Sequence, residues 1–233
     1  MGNEKSERIQ TSILNAAEKK ALIWLAHRQP RWMTSDILTY IGVLGAAICA
    51  LGYYLSNFNV CWLWLSSFGL LVNWYGDSLD GTLARVRNCQ RPIYGYYLDH
   101  TVDAVNELIM VLGIGLSGLM HLDLALMILV VYLMLTVNVS INAHLKKEFR
   151  LTYAKMGPTE FRIIMIIVNT LFATIPALNG FSHDFTVLGH DFVFKAMDYV
   201  AVVILAVLAA IYLTSIVKDA KEYAVMDPLK KKS

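Results

Sequence analysis

The sequence predicts an all-α integral membrane protein, with six transmembrane helices and an N-terminal amphipathic helix lying on the membrane surface. Three observations predict it. Apolar residues make up 57% of the chain and charged residues only 16%, at a mean hydropathy of +0.51. A typical soluble domain carries about 25% charged residues and needs them to face water. Six apolar stretches each approach the ~20 residues that cross ~30 Å of hydrocarbon. Lysine and arginine crowd one set of connections and almost vanish from the other.

The N-terminal segment, 1–33, comes first. Its stretch "ERIQTSILNAAEKKALIWLAHR" (7–28) mixes charges with Ile9, Ile13, Ala17, Leu22, Trp24 and Leu25. It is too polar to span and reads as an interfacial helix; an ordinary solvated helix packed on the bundle is the alternative. Pro30 stops it, and Ser35 or Asp36 can cap the next helix. The first 30 residues are too charged for a signal-peptide core, so none is expected. The opening "MGNEKS" fits a myristoylation pattern, a short match that a multi-span protein does not need.

The spans are placed at about 36–56, 60–86, 97–119, 122–146, 158–179 and 195–217, forming one domain over 34–217 with a basic tail at 218–233. The second and third are apolar only in part, and the fourth keeps Asn138, Ser140 and Asn142 near its end. Gly113, Gly115 and Gly118 would permit close helix contact, a dimer contact included. Trp62, Trp64, Tyr53 and Tyr54 fit an aromatic belt. Cys49, Cys61 and Cys89 read as structural fillers, without the spacing of a disulfide framework or zinc site. His121, His183 and His190 read as surface residues at the far end.

Charge sets the orientation. Lys5, Arg8, Lys19, Lys20, Arg28 and Arg31 precede the first span, and Arg85, Arg87 and Arg91 follow the second. Lys146, Lys147, Arg150, Lys155 and Arg162 follow the fourth, and Lys218, Lys221 and Lys230 to Lys232 occupy the tail. The opposite connections hold Lys195 alone. The positive-inside rule therefore puts both termini in the cytoplasm, and an even number of spans agrees. The membrane is a bacterial inner membrane or an endomembrane. No nucleic-acid partner is expected.

Four acids break the apolar pattern in "GDSLDGTLARVRNCQRPIYGYYLDHTVDAV". Asp77 and Asp80, spaced i, i+3, end the second span; Asp99 and Asp103, spaced i, i+4, begin the third. Each pair shares a helical face, and a short turn makes the two helices antiparallel neighbours. The four carboxylates then converge at interface depth. A charge costs about 2.5–3.5 kcal/mol at a helix centre and less near the interface, so such a cluster needs cations. Hard oxygen ligands with open positions suit Mg²⁺ or Mn²⁺, with a phosphate completing the shell. Gly81, Ala84 and Gly95 allow another molecule to approach closely, and Arg85 offers a fork suited to phosphate. The bland alternative, acids paired with Arg85, Arg87 and Arg91 in a solvated turn, does not account for the regular spacing on two spans.

These residues resemble the CDP-alcohol phosphotransferase (phosphatidyltransferase) family, whose signature is D-x2-D-G-x2-A-R-x8-G-x3-D-x3-D. Asp77, Asp80, Gly81, Ala84, Arg85, Gly95, Asp99 and Asp103 match it, with nine residues in place of eight between Arg85 and Gly95. The extra residue falls in the turn "VRNCQRPIY". The resemblance runs from about residue 30 to 217. It implies a six-helix, usually dimeric membrane enzyme of phospholipid synthesis, with membrane lipids around it and a cavity open to the cytoplasm. It implies that Asp77, Asp80 and Asp99 ligate Mg²⁺ or Mn²⁺, and that Asp103 is the general base while touching a metal. It implies that Asp77, Asp80, Gly81, Ala84, Arg85 and Gly95 line the CDP site. Thr39, with Asp36, stands where the family has polar residues facing the nucleotide.

The partners implied are a CDP-alcohol donor and a lipid or polar alcohol acceptor. His100 directly after Asp99, and "MGPTEFR" at 156–162, look like the choline/ethanolamine phosphotransferase branch. Lys146, Arg150, Lys155, Glu160 and Arg162, together with Arg31, could instead hold an acceptor phosphate, although Lys146, Lys147 and Arg150 serve equally as topology residues against lipid phosphates. Asn73 and Glu107 extend the two acidic faces by one turn each. A divalent-cation transporter or cation-binding membrane protein is the alternative reading. It would need polar residues along a complete path, and the first, fifth and sixth spans offer few.

Overall fold

The structure, a computed structural model, describes residues 7–9, 15–146, 148–150, 158–187 and 190–229, and it is mostly helical. In chain order the elements are β1 (Glu7–Ile9), α1 (Asn15–Arg28), α2 (Ser35–Leu55), α3 (Leu63–Val86), α4 (Pro92–Gly115), α5 (Leu122–Lys146), β2 (Glu148–Arg150), α6 (Pro158–Thr174), α7 (Pro176–Asn179), β3 (Ser182–Val187), β4 (His190–Lys195) and α8 (Ala196–Met226). Among the described residues, three helices are long and apolar enough to cross a membrane: α2, α5 and α8. Their outer faces expose Leu44, Leu51, Val130, Val137, Val203 and Val207, a surface that suits lipid and not water.

Two parts depart from an all-α expectation. β3 and β4 pair as an antiparallel hairpin, with Ser182 opposite Lys195. The sequence there is rich in phenylalanine and valine, which favours strands. β1 pairs in parallel with β2, so the helix expected over 7–28 begins at Asn15. That helix packs Leu22 and Ala26 against Leu79 and Leu83 of α3 and Leu38 of α2, and leaves Trp24 exposed under Arg28.

Small residues bring α2 and α3 together. A Cβ added to Gly76 would lie 2.3 Å from the Gly42 backbone nitrogen, and one added to Gly45 would lie 2.2 Å from that of Asn73. Only glycine lets the two backbones approach so closely. Asn73 Nδ2 donates across this seam to the Gly42 carbonyl at 3.0 Å. Gly113 of α4 fits against Ala50 of α2 in the same way, so its contact lies within this chain.

Local chemistry ends each helix near the acids. Thr34, not Ser35 or Asp36, caps α2: its Oγ1 accepts from the Ile37 amide at 3.2 Å. Ser35 donates instead to the Asp80 carbonyl at 2.9 Å. α3 stops where Asn88 adopts φ 53, with the Cys89 amide donating to the Ala84 carbonyl at 3.0 Å and the Asn88 amide to Arg85 at 3.2 Å. This is the Schellman arrangement, and asparagine tolerates its left-handed position. Pro92 then opens α4 earlier than residue 97, as proline does at a first helical position. Pro176 divides the fifth stretch into α6 and α7, and α8 runs past 217 to Met226.

Candidate active site

α3 ends and α4 begins at the same end of the bundle, and α2 and α6 start there too. Carboxylate oxygens of Asp77, Asp99 and Asp103 lie within 4.8 Å of one another, on half-buried side chains. Oxygens sharing one Mg²⁺-sized ion at about 2.1 Å lie at most about 4.2 Å apart, so small side-chain adjustments would bring all three onto a common cation. The donor set is all carboxylate, without histidine or cysteine, which is the chemistry of a hard divalent ion.

Asp80 stands apart from this trio. Its Oδ2 accepts from Thr39 Oγ1 at 2.7 Å, and its Oδ1 accepts from the Gly81 amide. Thr39 is thus brought to the site from α2, and the first turn of that helix holds both the side chain and the carbonyl of Asp80. Gly81 and Gly95 border open space: a Cβ on Gly81 would meet only Arg85 Nη1, at 3.4 Å, and one on Gly95 would meet nothing within 4 Å. Ala84 is buried, and Arg85 Nη2 donates to Thr82 Oγ1 at 2.8 Å.

Arg87 and Arg91 do not serve the four acids. Arg87 donates to the carbonyls of Gln29, Pro30 and Met33, tying the end of α3 to the turn before α2. Arg91 donates to both oxygens of Asp36 at 2.6 Å and stacks on Tyr94, fastening α4 to α2.

Arg162 reaches the acids from α6. Its Nη2 donates to Asp77 Oδ2 at 2.6 Å and its Nε to Asn73 Oδ1 at 3.0 Å. The two charged side chains are only 13% and 19% exposed. Nη1 of Arg162 and Oε2 of Glu107 are both buried, and neither finds a hydrogen-bond partner among the described residues. Of the other cations expected around an acceptor, Arg31 is exposed, Lys146 ends α5 and Arg150 lies in β2, both described through their backbones alone. Lys155 lies outside the described residues. Glu160 is half-buried in the first turn of α6.

Several working polar residues escaped the sequence reading. Glu18 of α1 accepts from Trp74 Nε1 of α3 at 2.9 Å and from Thr159 Oγ1 of α6 at 2.6 Å, so α1 braces the helix that carries Arg162. At the far end, Asp198 is fully buried. It accepts from the His121 and Lys195 amides, each at 2.8 Å, and pairs with His121 Nδ1 at 2.8 Å. His121 is exposed, as expected of a surface residue, while its ring reaches the buried Asp198, and Lys195 donates to the Gly118 carbonyl. Tyr53, expected in the aromatic belt, is buried and donates to Asn169 at 3.0 Å. Asn138 and Asn142 of α5 both donate to Asp219 of α8. A lone acid at the head of an apolar stretch was the available signal for Asp198, whereas Asp219 sits among the charges of the tail and gave none.

The site geometry rests on the residues that the family signature names. The CDP-alcohol phosphatidyltransferase family model matches residues 32–217. The chain belongs to this family. It is 34% identical over 86 residues to the phosphatidylinositol phosphate synthase of Cutibacterium acnes, over 36% of this chain and 38% of that protein. It is 32% identical over 98 residues to the archaetidylinositol phosphate synthase of Pyrococcus horikoshii, over 42% of this chain and 49% of that protein. The chain thus spans less than half the length of each of these relatives. The family is one of membrane transferases that join CDP-alcohol donors to alcohol acceptors.

Proposed function

We propose that this protein transfers a phospho-alcohol from a CDP-alcohol to an acceptor hydroxyl and releases CMP, using Mg²⁺ or Mn²⁺ held by Asp77, Asp99 and Asp103, with Asp80 at the edge of the same site. The approach of three carboxylates on antiparallel helices carries the reading. A bound divalent ion supplies charge neutralisation for the pyrophosphate and its leaving group. The acceptor oxygen attacks the β-phosphorus, its proton passes to a carboxylate oxygen of Asp103, and the bridging P–O bond breaks so that CMP leaves with the electron pair. An alcohol is too weak an acid to attack unaided, so a positioned base is needed. Gly81 and Gly95 leave room for the nucleotide, and Thr39 orients Asp80.

The donor in this reading is of the CDP-diacylglycerol kind and the acceptor a phosphorylated polyol. The names of both relatives support it, since each product is a lipid inositol phosphate. A cation at Arg162, beside the acids, supports an anionic acceptor. A second reading, transfer from CDP-choline or CDP-ethanolamine to a lipid alcohol, draws on His100 and on Gly157 to Glu160. The arrangement we favour has six spans, α2 to α6 and α8, in a homodimer, with both termini and the site facing the cytoplasm, because the cations cluster at that end.

The test is CMP release by purified protein from CDP-diacylglycerol, CDP-choline and CDP-ethanolamine, each against a panel of alcohols, with the lipid product read by mass spectrometry. Metal-dependent CMP release with a phosphodiester lipid is expected. Divalent-ion flux into vesicles without CMP release from any donor would instead make the protein a transporter.

A further inference from the structure

Arg162 and Glu107 each bury a polar atom without a hydrogen-bond partner among the described residues. Burying an unpaired charged atom is expensive, so each such atom calls for an ion, a ligand or a second arrangement that meets it. Glu107 lies one α4 turn beyond Asp103, within electrostatic reach of both Asp77 and Arg162. Arg162 Nη2 holds Asp77 Oδ2, an oxygen from one of the three residues whose carboxylates converge. A divalent ion among those carboxylates would draw on Asp77 and repel the guanidinium. The arginine then needs another anion, and among the described residues Glu107 Oε2 is a buried carboxylate oxygen without a donor.

We propose that Arg162 is a resident cation that exchanges partners, holding Asp77 in the metal-free site and passing to Glu107 when a divalent ion binds. The inference rests on the reading that Asp77, Asp99 and Asp103 hold such an ion. Arg162 and Glu107 are positioning residues here: they set how tightly the ion is held by acting through Asp77. They act in opposite directions. Arg162 competes with the ion for Asp77, whereas Glu107 draws the competitor away. Two merely structural residues would not differ in sign.

The experiment is Mn²⁺ binding, followed by electron paramagnetic resonance on the full chain in detergent micelles without substrate. Wild type, Arg162→Met, Arg162→Lys, Glu107→Gln and the double variant Arg162→Met/Glu107→Gln are compared, with Asp99→Asn as the reference for loss of the ion. Partners beyond the ligands typically change metal affinity about 10–100-fold. Arg162→Met is therefore expected to tighten Mn²⁺ binding roughly tenfold, and Glu107→Gln to weaken it roughly tenfold. Arg162→Lys keeps the charge and stays near wild type. The double variant follows Arg162→Met, because Glu107 has no competitor left to remove. Thermal melts in chelator should fall for Arg162→Met and recover with Mn²⁺, which shows that the variant folds. Weaker Mn²⁺ binding in Arg162→Met, or unchanged binding in Glu107→Gln, overturns the exchange while leaving the metal reading in place. Wild type that binds no Mn²⁺, or binds it as well as Asp99→Asn does, overturns both.

Discussion

Arg162 of α6 donates to Asp77 of α3 at 2.6 Å, across 85 positions of sequence. The bond crosses between helices that share the acidic end of the bundle, and it makes α6 part of the site. Asn73, one turn before Asp77, accepts from the same guanidinium and donates to Gly42 of α2. Three helices are thus joined through one arginine and one asparagine.

Asp103 is the proposed base. Replacing it with Asn should lower CMP release by about 10²-fold or more, the usual range for a positioned proton acceptor. Mn²⁺ should bind Asp103→Asn with reduced affinity, saturating Mn²⁺ should not restore its turnover, and a chelator should stop wild-type turnover. Full activity in Asp103→Asn would assign the proton to another group.

Thr39 donates to Asp80 at 2.7 Å. Thr39→Val keeps the shape and removes the donor, so a drop in kcat/KM of about tenfold is expected, with Thr39→Ser near wild type. Equal loss in both variants would point to packing and not to the hydroxyl.

Two glycines should respond differently. Gly76→Ala puts a Cβ 2.3 Å from the Gly42 backbone nitrogen, which cannot move without parting α2 from α3. Overpacking of this kind costs about 1–3 kcal/mol, and the melt should drop accordingly. Gly81→Ala meets only the flexible tip of Arg85, so the melt should hold while KM for the CDP-alcohol rises. A lowered melt in Gly81→Ala with unchanged KM would remove that glycine from the donor site.

Asp198→Ala removes the acceptor shared by the His121 and Lys195 amides. Buried donors left unsatisfied cost about 1–3 kcal/mol each, so a clear fall in thermal stability is expected. Specific activity of the protein that remains folded should be unchanged, because this contact lies at the end opposite the acids.

Helix positions were legible because each is a local property. Hydropathy over ~20 residues marked the apolar stretches, and their helices lie where expected to within a few residues at most ends. Pro92 and Pro176 account for two of the displaced ends. The acidic pairs were legible for the same reason, since i, i+3 and i, i+4 spacing depends only on helical pitch. The hairpin β3–β4 was not legible because its two short strands carry no clean apolar–polar alternation, only a local enrichment in phenylalanine and valine.

From the sequence alone came the helices, the faces that carry the four acids and the family signature, all of them consequences of short-range spacing. Tertiary structure alone decided which three acids converge, that Asp80 turns to Thr39, and that Arg162 rather than Arg87 or Arg91 answers Asp77. Those choices depend on how closely and at what angle the helices cross. That crossing is set by glycines packed against backbone on another helix, a contact no local pattern encodes.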